Sequence, residues 1–144
     1  MIRPIVIENA DTLLFMPDLF NYLDEIVAFC SEQGQGQPEG LGEIAIAVYN
    51  GLAVKYSETM DELEEVIGRK IEVINMVGGG TQDTLLCQMT ADSTGKQVIA
   101  GPIEASVLGN SLVQFIANGY INDIKEGRDV VERSFKLERY SPSL

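Results

Sequence analysis

The sequence predicts an α/β fold in which helices pack against short parallel strands. Two short runs, residues 71–77 and 97–101, are mainly apolar and contain β-branched side chains, which is typical of buried strands. The segment between them contains a helix, and a strand, a helix and a second strand in this order form a right-handed parallel unit. Before and after that unit, apolar residues recur at intervals of three and four and predict amphipathic helices.

The first helix is expected to follow an irregular approach over residues 2–14. Pro17 suits a first helical turn, and apolar side chains at helical spacing then continue to about Ser31. Residues 34–40 are rich in Gly and Gln and include a proline, so they cannot sustain a helix. We interpret them as a polar connector rather than a boundary between two cores.

A long helix is predicted from about Leu41 to Ile67, with Gly68 as its C-terminal stop. Its inward stripe is expected to consist of Leu41, Ile44, Ala45, Val48, Leu52, Tyr56, Met60, Leu63 and Ile67. The strand at residues 71–77 comes next. Its nearly continuous apolar character predicts a strand that is covered on both faces.

The helix between the two strands is predicted from Thr84 to about Ala91, and Thr81 or Asp83 is placed to cap its exposed amides. Its inward side chains are expected to be Leu85, Leu86 and Met89. Residues 92–96 then predict a solvated turn that leads into the second strand.

Two helices are predicted after the second strand. Pro102 and Glu104 open the first, which is expected to reach about Asn118. Its small residues, which predict close packing against another backbone, are Ala105, Ser106, Gly109 and Ser111. Asn122 or Asp123 together with Glu126 forms a capping pattern for a last helix to about Phe135. The tail, residues 136–144, is predicted to be irregular.

Charge and composition exclude several classes of function. The chain has 22 acidic and 10 basic residues and a net charge of −12, which disfavours nucleic acid and anionic membranes as partners. Histidine is absent, so histidine-dependent triads and general bases are excluded. No segment approaches the roughly 20 apolar residues of a membrane span, and the start does not resemble a signal peptide. We therefore expect a cytoplasmic protein, in which Cys30 and Cys87 are buried thiols; a disulfide is the weaker interpretation.

Gly78, Gly79 and Gly80 are the candidate ligand site, because they stand between a predicted strand and a predicted helix. Residues without Cβ atoms allow the backbone to approach a ligand closely, and the helix that follows presents unpaired N–H groups. Taken alone, such a triplet is more often a tight turn. Its context favours a nucleotide contact, although it does not match the G-x-G-x-x-G dinucleotide pattern. For the acidic residues Asp92 and Glu104, capping and solvation are preferred over catalysis.

The segment VGGGTQDTLLCQMTADSTGKQVIAGPIEASVLGNSLVQ, residues 77–114, resembles the C-terminal domain of the FGGY carbohydrate kinases, most closely the rhamnulokinase group. Weaker similarity extends over nearly the whole chain. The resemblance implies a partial ribonuclease-H-like domain of the actin and hexokinase type. Residues 1–144 would be the C-terminal portion of the nucleotide-binding domain, with the N-terminal, sugar-binding and catalytic domain absent.

The resemblance also implies a reaction, the transfer of the γ-phosphoryl group of MgATP to L-rhamnulose. In such kinases the catalytic base and a phosphate-binding loop belong to the other domain, which would also hold Mg²⁺ together with the ATP phosphates. No catalytic residue and no metal ligand is therefore assigned in this chain, and the isolated chain is expected to be inactive. Gly78, Gly79 and Gly80 correspond to the adenosine motif of the family. Asp83 falls near the adenine or its ribose, where relatives usually have Asn; a carboxylate only accepts hydrogen bonds, whereas an amide also donates.

A second hypothesis is a non-catalytic module derived from such a kinase. A sheet that lacks some of its strands has an exposed edge, and an exposed edge is a template for pairing with another chain. Such a module would self-associate as a homo-oligomer or bind a partner through that edge.

Overall fold

The computed structural model describes residues 19–143, with side chains from Leu23 onward. The predicted irregular approach over residues 2–14 and the helix start at Pro17 lie outside the described residues. The fold is α/β, and the described residues form two compact units, one ending at Gly68 and one beginning at Arg69. None of the helices in the described part of the chain combines the length and the apolar character needed to cross a lipid bilayer.

The first unit contains helix α1 (Leu19–Glu32) and helix α2 (Gly40–Ile67), joined by the predicted polar connector. Its core consists of Ile26 and Cys30 from α1, packed with Ile44 and Ala47 from α2. These residues are separated by one helical turn in each helix, so they lie on a single face. Helix α2 ends as predicted at Gly68, which has the left-handed φ of 66° and donates its N–H to the Glu64 carbonyl at 2.9 Å.

The predicted stripe of α2 is only partly correct. Leu41 is 70% exposed, and Ala45, Leu63 and Ile67 are also exposed. The buried residues of α2 are Ile44, Ala47, Gly51, Ala53 and Glu64. Two reasons apply. The face of α2 that meets α1 is centred on Ile44 and Ala47, which leaves Leu41 and Ala45 outside the contact. At 1.5 Å per residue, the 14 described residues of α1 span only about half of the 28 residues of α2, so Leu63 and Ile67 lie beyond its reach.

The second unit contains a sheet with strand order β1 (Val73–Met76), β2 (Gln97–Ala100) and β3 (Glu138–Tyr140). Strands β1 and β2 are parallel, as predicted, and their register places Met76 opposite Ala100. Strand β3 pairs antiparallel with β2, with Val98 opposite Tyr140. The prediction of an irregular tail is therefore wrong for residues 138–140 and confirmed for residues 136–137 and 141–143. Three residues of mixed polarity carry no strand pattern, and β3 exists because β2 offers it hydrogen-bonding partners.

The prediction that the first strand is covered on both faces is also wrong. Exposed and half-buried residues alternate along β1, and Val73 and Val77 are 38% and 54% exposed. Within the described residues β1 is an edge strand, whereas β2 lies between two neighbours. Accordingly, the buried strand side chains are those of β2, with Val98 at 0% and Ala100 at 3% exposure.

Helix α3 (Thr84–Thr94) connects the two parallel strands and is longer than predicted. Residues 92–94, predicted as part of a turn, continue the helix until Gly95 ends it with a φ of 67°. Its buried residues are Cys87, Thr90 and Ala91, whereas Leu85, predicted to face inward, is 46% exposed. The inward face is set by where the helix meets the sheet, which the spacing of Leu85, Leu86 and Met89 did not indicate.

Helix α4 (Ala105–Ala117) and helix α5 (Ile124–Ser134) follow β2. The predicted capping pattern of α5 is confirmed: Asp123 accepts from the Glu126 N–H at 2.8 Å, and Glu126 accepts from the Asn122 N–H at 2.8 Å. Close approach occurs at Gly127 of α5, where a Cβ would meet the Leu112 side chain at 3.2 Å. At Gly109, where close packing was predicted, a Cβ would meet nothing within 4 Å.

Candidate functional site

The turn after β1 is held by Gly78, whose φ of 85° and ψ of −167° belong to a region that is essentially restricted to glycine. The Gly78 N–H donates to the Pro102 carbonyl at 3.3 Å, and the Gly101 N–H donates to the Met76 carbonyl at 2.9 Å. These bonds extend the pairing of the two parallel strands past their ends. The turn therefore lies at the carboxyl edge of the sheet, where ligands bind in open α/β folds.

A short 3₁₀ turn (Gly79–Gln82) connects this point to α3. Thr81 is buried, and both its N–H and its hydroxyl donate to the Gly78 carbonyl, at 3.2 and 2.7 Å. Gly79 and Gly80 are exposed, and their N–H groups donate to none of the described residues. A Cβ built on either glycine would project into open space. The turn thus presents bare backbone with two available donors.

Two residues, Thr81 and Asp83, were predicted as possible caps of α3. The structure shows that Asp83 is the N-cap. Its Oδ1 accepts from the Leu86 N–H at 3.0 Å, and its carbonyl accepts from the Cys87 N–H at 3.0 Å. One carboxylate oxygen is thereby engaged in satisfying the helix end. The side chain is half-buried beside the glycine turn.

A cleft of about 340 Å³ adjoins the turn in the second unit. Its lining residues are Thr81, Gln82, Ala100, Gly101, Pro102, Ile103, Glu104, Phe135, Lys136 and Glu138. Sequence reasoning did not include Gln82, Phe135 or Lys136 in the site. Phe135, predicted as the end of the last helix, and Lys136, predicted as the start of an irregular tail, both reach the cleft because β3, which follows them, pairs antiparallel with β2. Glu104, expected to be structural, lies on the wall of this cleft.

Cys87 lies on the buried side of the turn. Its Sγ is 4.0 Å from the Gly80 carbonyl, 3.9 Å from the Thr81 carbonyl and 3.5 Å from the Met76 sulfur, and the residue has no exposed surface. Burial raises the pKa of the Cys87 thiol above its ordinary 9.0, and the Asp83 carboxylate raises it further. Both Cys87 and Cys30 are free and buried, which confirms the prediction of two buried thiols.

Asp92 has a structural role. It accepts from the Ser143 N–H at 2.7 Å and from Gln88 at 2.9 Å, and these bonds, the Ser143 bond first, lower the pKa of its carboxyl group. Gln88 also donates to the Ser141 carbonyl at 2.8 Å. Together they attach the segment after β3 to α3. In the described part of the chain, no three Asp, Glu, Cys or His side chains converge on a point where a metal ion would bind.

A larger cavity of about 660 Å³ lies between the sheet and the helices α4 and α5. Its walls are mainly apolar and include Leu108, Gly109 and Leu112. Gly109 therefore borders this cavity and does not pack against the sheet. The charged residues at its rim include Glu132 and Arg139, which form an ion pair at 3.3 Å.

Comparisons with known proteins agree with the resemblance of residues 77–114. The family model described as "FGGY family of carbohydrate kinases, C-terminal domain" matches residues 9–118. A rhamnulokinase of Bacillus subtilis is 42% identical over 85% of this chain and 25% of its own length. Rhamnulokinases of Oceanobacillus iheyensis and Halalkalibacterium halodurans are 36% and 41% identical, over 94% and 83% of the chain.

The matched part of each relative is short. The chain spans about a quarter of the length of these curated relatives, between 25% and 28%. The match nevertheless includes the glycine turn, its cap and both parallel strands, and the C-terminal domain of this family has the actin- and hexokinase-like ATPase fold. The chain belongs to the FGGY family of carbohydrate kinases and carries sequence of their C-terminal domain.

Proposed function

We propose that this chain forms the adenosine-binding side of the cleft in an ATP-dependent sugar kinase. The proposed reaction transfers the γ-phosphoryl group of ATP to L-rhamnulose and yields L-rhamnulose 1-phosphate and ADP. The observation that carries the proposal is the exposed glycine turn at the carboxyl edge of two parallel strands. The identity to proteins named rhamnulokinase supports the choice of the sugar.

The residues of the turn would have different roles in holding a nucleotide. Gly78 sets the direction of the chain, since its own N–H is bonded to Pro102. Gly79 and Gly80 have the N–H groups available to nucleotide oxygens, and the lack of Cβ atoms lets a ligand come to van der Waals distance of the backbone. Asp83 would lie beside the adenine or the ribose while it caps α3.

The phosphates and the metal would be held elsewhere. The described residues bring no set of carboxylates together for Mg²⁺, so we propose that the ion is coordinated mainly through ATP phosphates and another domain of the kinase. Bound Mg²⁺ would neutralise charge on the phosphates during transfer. This division suits an acidic chain, because a net charge of −12 would repel the triphosphate from most of its surface.

The glycine site is tested by Gly79→Val in the full-length kinase. A branched side chain on the exposed turn would occupy the space of the nucleotide, so we expect ATP affinity to fall by at least tenfold in a calorimetric titration. The matched control is Gly42→Val in α2, because a Cβ at Gly42 also meets nothing within 4 Å. Unchanged ATP affinity in Gly79→Val would remove the turn from the site.

The division of labour is tested by a coupled assay for ADP formation with L-rhamnulose. We expect turnover by the full-length kinase and none by the isolated chain of residues 1–144. Turnover by the isolated chain would contradict the placement of the catalytic base in another domain. A full-length kinase that binds ATP but does not phosphorylate L-rhamnulose would overturn only the proposed sugar.

Self-association is a second candidate, because β1 forms an outer edge of the described sheet and Val73 and Val77 are exposed there. Two such edges would pair in a homo-oligomer without catalysis. Light scattering of the isolated chain measures this directly. A monomer at all concentrations would eliminate the module, whereas a dimer that Val73→Lys dissociates would favour it.

A further inference from the structure

We propose that Thr81 is a positioning residue for nucleotide binding, and this rests on the proposed function of the glycine turn. Thr81 is 8% exposed, and it lies on the wall of the cleft beside the turn. We infer that its hydroxyl controls the direction in which the backbone N–H groups of the turn are presented. It would therefore influence ATP affinity through the orientation of these N–H donors.

The argument depends on peptide geometry. A trans peptide is planar, so the C=O of one residue and the N–H of the next point in opposite directions. The Gly78 carbonyl is directed toward buried Thr81, from which it receives two hydrogen bonds, at 3.2 Å from the N–H and 2.7 Å from the hydroxyl. The Gly79 N–H in the same peptide is therefore directed away from Thr81, toward the exposed side of the turn.

Other contacts constrain the same peptides from the buried side. The Thr81 carbonyl lies 3.9 Å from the Cys87 sulfur, which is fully buried. Gln82, the next residue along the turn, lines the cleft. The hydroxyl of Thr81 makes the shortest of these contacts. Its removal leaves the Gly78 carbonyl with one donor and allows the first peptide of the turn to rotate.

The test is Thr81→Val in the full-length kinase, which removes the hydroxyl and keeps the branched shape. We expect the dissociation constants of ATP and ADP to rise about three- to tenfold, the range that corresponds to losing one hydrogen bond. The KM for ATP should rise with them, while the KM for the sugar stays unchanged. Thr81→Ser, which retains the hydroxyl, should bind ATP within about twofold of the wild type.

A matched control is available in the same unit. Thr90 is 1% exposed, and its hydroxyl donates to the Leu86 carbonyl at 2.7 Å, inside α3 and away from the turn. Thr90→Val should lower the melting temperature as much as Thr81→Val and leave nucleotide affinity unchanged. Equal affinity losses in both variants would show a general structural effect and overturn the positioning role.

The outcomes separate this proposal from the one on which it rests. If Gly79→Val abolishes ATP binding and Thr81→Val does not weaken it, the turn is the site and Thr81 is only structural. If neither variant changes ATP affinity, the glycine site itself is wrong. If Thr81→Val does not fold, Thr81→Ser still decides: a three- to tenfold loss of affinity with the hydroxyl present would contradict the proposal.

Discussion

The two units of the chain are stabilised in different ways, although each contains one fully buried cysteine. In the first unit Cys30 packs in a core of two helices whose buried residues are one turn apart in sequence. In the second, Cys87 contacts a turn and the end of a strand, and the elements are only 3 to 13 residues long. The stability of the first unit therefore depends on the packing of long helices, and the stability of the second depends on the conformation of individual residues.

Helix ends show the same difference. Helices α3 and α5 of the second unit each begin at an aspartate that accepts a backbone N–H, at Asp83 and Asp123. Helix α2 of the first unit begins at Glu39, whose side chain makes no cap bond. Helix α4 of the second unit begins at Glu104 and also lacks a side-chain cap bond, so the difference concerns α3 and α5. These two helices have 11 residues each and few internal hydrogen bonds, so they depend more on a satisfied first turn than a helix of 28 residues does. Substitutions of single residues should therefore cost more in the second unit.

The largest expected difference in stability concerns glycine. Gly101→Ala places a side chain at a φ of 114°, where its Cβ would lie 3.2 Å from the Leu137 side chain and 3.5 Å from the Lys136 carbonyl. Strain and contact together should cost about 2–4 kcal/mol in urea unfolding. In the first unit, Gly42→Ala should stabilise by up to about 1 kcal/mol, because Gly42 lies in a helix with open space around it. Equal changes in the free energy of unfolding for Gly101→Ala and Gly42→Ala would contradict the proposed difference in stabilisation between the two units.

A smaller effect is expected at the helix caps. Asp123→Ala removes the acceptor for the Glu126 N–H and should destabilise the protein by about 1 kcal/mol. Glu39→Ser should have the opposite sign, since serine supplies the cap oxygen that α2 lacks. Thermal unfolding of both variants measures the contrast. The backbone N–H of residue 39 can keep its bond to the Glu43 carboxylate in the variant, so destabilisation by Glu39→Ser would contradict the expected gain from the added cap.

The smallest expected effect on stability is that of pH, and it concerns one cysteine in each unit. Burial raises the pKa of Cys30 and of Cys87 above the ordinary 9.0, so the folded chain holds these protons more tightly than the unfolded chain. This contribution to stability is complete below pH 9 and is lost as the pH rises through the raised pKa values.

Thiol modification is the measurement for this prediction. Near neutral pH we expect neither cysteine to react with a thiol reagent until the protein unfolds, because both side chains are buried and protonated. Unfolding curves at several pH values above and below 9 report the change in stability. Rapid reaction of Cys87 alone in the native protein would show that the turn beside it opens. The second unit would then expose its buried thiol more easily than the first unit exposes Cys30.

Much of the candidate site could be predicted because its determinants are local. The strand end, the three glycines and the cap at Asp83 lie within eleven residues, 73–83, and the bonds within the 3₁₀ turn and the cap join residues three or four positions apart. The bonds of Met76 and Gly78 to the end of β2, in contrast, join distant residues. The cleft wall at Phe135 and Lys136 could not be predicted, since those residues meet Pro102 only through the pairing of β3 with β2. A three-residue strand has no periodicity that would reveal it.

The sequence alone determined the α/β class, the parallel pair of strands, the end of α2 at Gly68, a capping pattern for α5 at Asn122 or Asp123, and the resemblance to the kinase family. The helix ends follow from turn chemistry and hydrogen bonds between near neighbours. The parallel pair follows from the order strand, helix, strand, and the family follows from the resemblance of residues 77–114. Tertiary structure decided which faces of α2 and α3 are buried, that β1 is an edge strand among the described residues, and that residues 138–140 form β3. Burial and strand pairing depend on which distant segment is adjacent, and hydrophobic spacing along one helix or strand does not contain that information.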